Sequence, residues 1–183
     1  MDPTASPPST EESARAGAAT DAHAAFTQTL DDRRRALLAP DHPATVAARN
    51  DLGVLRRKNG RYAEAESIFR DVFAAHKRRH GREHPRTAVA MSNWAQTLAA
   101  RGRYETADSL YRQSLALHRR IFGADHTRVT ALLSRMADMK VRRGAYDAAF
   151  AQYRDVLSRL QNTFGPEHAY VAITLGDLAR TQA

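Results

Sequence analysis

The chain of 183 residues contains no cysteine. Disulfides and thiolate metal centres are therefore excluded. No apolar stretch reaches the length of about 18 residues that marks a membrane-spanning helix. The first residues carry no basic segment followed by an apolar run, so the pattern of a secretory signal is missing. There is no GxxxxGK loop, no GxGxxG after a strand, no GxSxG and no HExxH. Those absences remove the nucleotide-binding, serine-hydrolase and zinc-protease chemistries that such motifs serve. The reading is that the protein is not an enzyme and has no catalytic residue, no cofactor and no metal. With no secretory-signal pattern and no membrane span, it reads as cytoplasmic.

What is present is ordinary for a globular chain: 43% hydrophobic and 26% charged residues. The length allows one domain or one short solenoid. Residues 1–16 open with MDPTASPPSTEE, rich in Pro, Ser and Thr, and read as a disordered leader. The remainder, 17–183, is ruled by a repeat. His42, His84, His126 and His168 are evenly spaced at 42 residues. Gly60, Gly102 and Gly144 keep that interval, as do Gly81, Gly123 and Gly165, Tyr62, Tyr104 and Tyr146, and Ala65, Ala107 and Ala149. A fixed period of this size is the mark of a repeat architecture.

Each unit divides into two helical segments at a glycine. In the middle unit the spacing predicts helices over Arg86–Ala100 and Tyr104–Ile121. Gly102 and Gly123 then follow the ends, where glycine enters the left-handed region without a Cβ penalty. Pro43 and Pro85 sit at first helical positions, where a missing N–H loses nothing. Apolar residues recur at helical spacing: Ile68, Phe69, Val72 and Phe73 on one second helix, Ala48, Leu52 and Leu55 on one first helix. Such stripes are the buried faces of packed amphipathic helices.

The units are 41–82, 83–124 and 125–166, preceded by half a repeat over 17–40 and followed by a closing helix over 167–183. That closing helix reads as a cap. If its open side were instead an interface, the protein would be a weak oligomer through its C-terminal end rather than a monomer.

The pairs Leu52-Gly53, Trp94-Ala95 and Met136-Ala137, the turn Gly60-Arg61-Tyr62 and its copies, and the aromatics Phe69, Tyr111 and Tyr153 resemble the tetratricopeptide repeat. The joint from Gly81 to Pro85 is similar to the longer form found in kinesin light chains and their bacterial relatives. The resemblance implies an all-α, right-handed superhelical solenoid of antiparallel helical hairpins. It implies a non-catalytic adaptor or scaffold whose first helices line a concave groove that holds a peptide segment of a partner protein. By register the groove residues are Asn50, Asp51, Val54, Arg57 and Lys58, then Ser92, Asn93 and Gln96. They continue as Ser134, Arg135, Asp138 and Arg142, and end at Asp177. Asn93 matches the position where relatives bond the peptide backbone. Asp51, Arg135 and Asp177 depart from it. The arginines favour an extended peptide of acidic character, since a guanidinium grips a carboxylate with two parallel bonds.

Other polar patterns read as structural. The acid–His pairs Asp41-His42, Glu83-His84, Asp125-His126 and Glu167-His168 would sit one layer apart, about 10 Å, too far for joint catalysis. They are expected to satisfy N–H groups at helix starts. His76, His80 and His84 are spaced by four, but Gly81 should end the helix before His84, and Lys77, Arg78 and Arg79 repel a cation. The formal charge of +8 leaves one alternative function, a basic module for nucleic acid or another polyanion.

Overall fold

A computed structural model describes residues 28–29 and 39–181. The expected leader over 1–16 and nearly all of the half repeat over 17–40 lie outside the described residues. The chain divides into two compact units, Met1–Thr45 and Val46–Ala183. In the first, residues 28–29 are helical, and the turn at 39–42 is closed by the His42 amide donating to the Ala39 carbonyl at 3.0 Å.

The remaining elements are helices, with no strand among the described residues. They are α1 (Pro43–Lys58), α2 (Tyr62–His80), α3 (Pro85–Ala100), α4 (Tyr104–Phe122), α5 (Thr127–Arg142), α6 (Tyr146–Phe164) and α7 (Ala169–Ala179). First helices of 16 residues alternate with second helices of 19. The expected pair in the middle unit, Arg86–Ala100 and Tyr104–Ile121, is observed at Pro85–Ala100 and Tyr104–Phe122. From Val46 onward the chain is an all-α repeat solenoid.

The turn inside each hairpin is the same hydrogen-bonded device three times. Gly102 takes φ +79°, its amide donates to the Ala99 carbonyl at 3.1 Å, and the Arg103 amide donates to the Leu98 carbonyl at 2.9 Å. This pair of bonds satisfies carbonyls that the helix end leaves open, and the positive φ selects glycine. Gly60 with Arg61, and Gly144 with Ala145, repeat the arrangement.

The joints between units use histidine. The Nδ1 atoms of His84, His126 and His168 accept the amides of Arg86, Arg128 and Tyr170 at 3.1, 3.1 and 3.2 Å. A side-chain acceptor at the N-cap occupies an otherwise unpaired donor of the first turn. The acid of the pair does a separate job. Glu83 is ion-paired with Arg120 at 2.5 Å, and Asp125 with Arg159 at 3.2 Å, each on the second helix of its own unit.

The core is built from the repeated small and aromatic positions. Ala65, Ala107 and Ala149 are fully buried, and Phe69, Tyr111 and Tyr153 nearly so. Tyr111 packs among Ala95, Leu98, Ala107, Leu132 and Met136, so one ring joins α3, α4 and α5. Val156 and Leu160 of α6 do the same with Val129, Leu133 and Val171. Each such side chain contributes about 1.5–3 kcal/mol by leaving water. Gly53 is buried under Phe69, whose Cζ would lie 3.0 Å from an added Cβ. That close approach explains glycine where the later units carry Ala95 and Ala137.

One stripe differs from expectation. Ala48 is exposed, and Leu52 and Leu55 are 40% and 52% exposed rather than buried. Trp94, the counterpart of Leu52, is half-buried against Phe73 of the preceding second helix, with ring centroids 5.8 Å apart. For α1 the preceding segment lies outside the described residues.

Candidate functional site

The first helices α1, α3 and α5 stand side by side, and their polar side chains join across units. Asn93 donates from Nδ2 to Asn50 Oδ1 at 3.2 Å. Arg135 donates from Nη1 to Ser92 Oγ at 3.5 Å. Both links run between residues 43 apart, so each crosses one joint.

Of the expected groove residues, Asn50, Ser92, Asn93 and Arg135 make these links, and Arg57, Gln96, Ser134, Arg135, Asp138, Arg142 and Asp177 line the concavities described below, while Asp51, Val54 and Lys58 do neither. Asn50, Val54, Arg57, Asn93, Gln96, Ser134, Arg135 and Asp177 are half-buried, while Asp51, Lys58, Asp138 and Arg142 are exposed. Ser92 is buried, and its hydroxyl donates back to the Val89 carbonyl at 2.8 Å. It acts as a support for Arg135 more than as a free donor. Asp177 is ion-paired with Arg180.

Two concavities open here. One is a cleft of about 790 Å³ between α5, α6 and α7. Its apolar lining is Val156, Leu160, Phe164, Tyr170 and Ile173. Its charged members are Arg128, Arg135, Asp138 and Asp177. Tyr170 and Ile173 are 56% and 61% exposed, unusual for large apolar side chains. The other is a pocket of only about 70 Å³. Arg57, Gln96, Tyr111, Arg135, Asp138 and Arg142 line it, together with small and apolar side chains. The two share Gln96, Arg135 and Asp138.

The electrostatics of the small pocket are unusual. Burial lowers the Arg57 guanidinium from its ordinary range, and the like charge of Arg135 lowers it further. Arg57 Nε is buried and has no hydrogen-bond partner. Burial also pushes the Tyr111 phenol above its ordinary value. Although Asp138 keeps an exposed flank, partial burial of its carboxyl raises it. The Tyr153 hydroxyl, donating to Asp138 Oδ1 at 2.5 Å, pulls it back down.

The sequence reasoning missed Phe164, Tyr170 and Ile173, naming only Asp177 from the last helix. The signal was there: Tyr170, Ile173 and Asp177 stand at i, i+3 and i+7, one face of α7. It also left out Tyr111, the floor on which the three arginines meet, because its core role was already sufficient.

The histidine series lies at the joint between α2 and α3, away from this face. His76 stacks on His80 with centroids 5.8 Å apart, and His80 on His84 at 4.2 Å. Stacked rings do not aim their nitrogens at a common point. Among the described residues no group of three His, Cys, Asp or Glu side chains is brought together to hold a metal. No helix among them is long and apolar enough to cross a membrane.

Comparison with known proteins bears on the repeat itself. The family described as Tetratricopeptide repeat matches residues 14–78, 47–120, 86–161 and 128–183. No curated protein sequence matches. Among solved structures, a kinesin light chain-type protein of Podosopora anserina with nearly identical TPR-like repeats is 22% identical, with a TM-score of 0.68, over 76% of this chain and 66% of that one. A single-residue variant of that protein is also 22% identical, with a TM-score of 0.65, over 91% and 78%. BtubC (BKLC) of P. vanneervenii is 18% identical, with a TM-score of 0.68, over 88% and 65%. The chain thus spans just under two thirds of two of these structures. At such identities the likeness is one of fold.

Proposed function

Because the chain belongs to the tetratricopeptide repeat family, and is by that membership a protein interaction module, we propose that it captures an extended peptide segment of a partner protein along the face formed by α1, α3, α5 and α7. The observation that carries this reading is the combination of side-chain amides and apolar surface on that face. Asn93 and Gln96 present amides suited to a peptide backbone. Beside them lies a cleft of about 790 Å³ whose exposed Tyr170 and Ile173 offer a seat for an apolar side chain. Exposed apolar surface rimmed by polar groups marks interaction sites.

The charge on the face sets the partner's character. Arg57, Arg128, Arg135 and Arg142 outnumber Asp138 and Asp177 around the two concavities. An acidic segment is favoured, held by paired guanidinium–carboxylate bonds. We propose the cytoplasm as the compartment in which it acts.

The test is affinity capture from native lysate with the intact protein and with an Asn93→Ala, Arg135→Ala double variant. A protein held by the first and lost by the second supports the face. Material retained equally by both, and released by nuclease or by moderate salt, would replace this reading with polyanion binding, whose affinity falls steeply with salt.

A further inference from the structure

The small pocket is the place where the face departs most from a plain polar surface. Three guanidiniums, those of Arg57, Arg135 and Arg142, line it against the one carboxylate of Asp138. They come from three positions in the chain, brought together by α1 and α5 over the buried ring of Tyr111. Asp138 is already engaged by Tyr153. We propose that this pocket receives a phosphorylated side chain of the partner protein, its dianionic oxyanion held by Arg57, Arg135 and Arg142 with Gln96 as a neutral donor. This inference rests on the peptide-face reading above and adds a chemical requirement to it.

Charge favours a phosphoryl group over a carboxylate. Counting three arginines and one aspartate, two positive charges remain unmatched. A carboxylate offsets one. A phosphorylated side chain brings about −1.5 to −2 and three strong acceptor oxygens. Guanidinium forks suit those oxygens, since each can make two parallel bonds.

Donor accounting points the same way. Arg57 Nε is buried without an acceptor. An unmet buried donor of this kind carries a desolvation penalty that a bound oxyanion would remove. Burial first, and the like charge of Arg135 second, lower the basicity of Arg57, and a bound oxyanion would offset that repulsion in the same step.

Size and position narrow the ligand further. About 70 Å³ is room for a head group and not for a length of peptide; one water takes about 30 Å³ of liquid. The pocket shares Gln96, Arg135 and Asp138 with the larger cleft, so a side chain projecting from a peptide in the cleft reaches it directly. A nucleic-acid backbone fits less well. Its phosphodiesters carry one charge each, and they need a track of cationic sites where this is a single enclosed one.

The test follows the arginine side chains of the ¹⁵N-labelled full chain by NMR. The probes are N-acetyl-O-phosphoserine amide, N-acetylglutamate amide, inorganic phosphate and a short thymidine oligonucleotide. The expected result is a saturable shift of the Arg57 Nε–H signal with the phosphoserine probe, at least tenfold tighter than with the glutamate probe. Arg142→Gln, an exposed position, should weaken it tenfold or more with an unchanged melting curve. Arg57→Gln, the second variant, is read at the Arg135 Nε–H signal and should weaken binding to a similar degree; unchanged binding in both variants overturns the proposal.

Equal binding of glutamate, or shifts spread alike over Arg119 and Arg120, overturns the proposal. So does inorganic phosphate binding more tightly than the phosphoserine probe, which would make the pocket a free-phosphate site, or displacement by the oligonucleotide. A phosphatase arm added to the lysate capture separates the two readings. Capture that survives phosphatase but is lost with Asn93→Ala leaves the peptide face standing and removes the phosphoryl requirement. Capture lost on phosphatase treatment supports it.

Discussion

Replacing Tyr153 by phenylalanine removes one oxygen and leaves the ring in place. Tyr153 is 2% exposed, so Phe fills the same volume among Ala137, Ala149, Val141 and Leu178. The loss is the hydroxyl's bond to Asp138 at 2.5 Å. Hydrogen bonds to charged groups contribute about 1.5–3 kcal/mol when both partners are buried. Asp138 keeps an exposed flank that water reaches, so about 1–2 kcal/mol is the expected cost. For a chain of this length that lowers the melting temperature by roughly 2–8 °C.

The pH dependence makes this prediction specific. Burial, and to a lesser degree Asp177, hold the Asp138 carboxyl above its usual range, while the Tyr153 bond pulls it down. A raised carboxyl keeps its proton longer folded than unfolded, so its contribution to stability falls as pH rises from about 4 through its folded value. Without the hydroxyl the carboxyl rises further and that fall deepens. Charge-assisted bonds are roughly twice as strong as neutral ones. The cost of Tyr153→Phe should therefore be about twice as large at pH 7 as at pH 4, measured by urea unfolding of both proteins at each pH. An equal cost at both, or a cost under about 0.5 kcal/mol at pH 7, would refute the argument that this bond restrains an ionised Asp138.

Two further perturbations follow from the same structure. His118 is buried, and burial lowers its basicity, opposed by its bond to the Ser114 carbonyl. The neutral ring's contribution is therefore complete above the unfolded value of about 6.5 and is lost as pH falls below it. The urea midpoint should drop between pH 7.5 and 5.5, and His118→Leu should flatten that drop; an unchanged slope would contradict it. Gly102→Ala should cost about 1–2 kcal/mol, because φ is positive there. No atom lies within 4 Å of the added methyl, so the whole effect is conformational. Gly102→Asn should recover part of it in the same melt.

Much of this is legible in the sequence. The 42-residue interval places every hairpin, because glycine at a positive φ and proline at a first helical position are fixed by backbone sterics that leave a mark in sequence. The acid–His pairs were legible as helix starts. What the sequence did not disclose was the division of labour, with histidine capping and the acid pairing to an arginine more than 30 residues away. Such pairings depend on how second helices lean against joints, which no local pattern encodes. The face was legible as a register and not as a surface. Ser92 has the right position, but its burial depends on neighbours in two other helices. The small pocket was invisible for the same reason: Arg57, Arg135 and Arg142 form no local cluster, and only packing over Tyr111 gathers them.

The links Asn50–Asn93 and Ser92–Arg135 each span a joint. No repeat therefore owns the chemistry it displays. Moving one 42-residue unit into another array would carry its fold along but not these links, because one partner of each stays behind. Specificity in this chain is a property of adjacency, inherited by ordered pairs of units. A lineage that gains or loses a repeat keeps its architecture and rewrites what it reads at one seam.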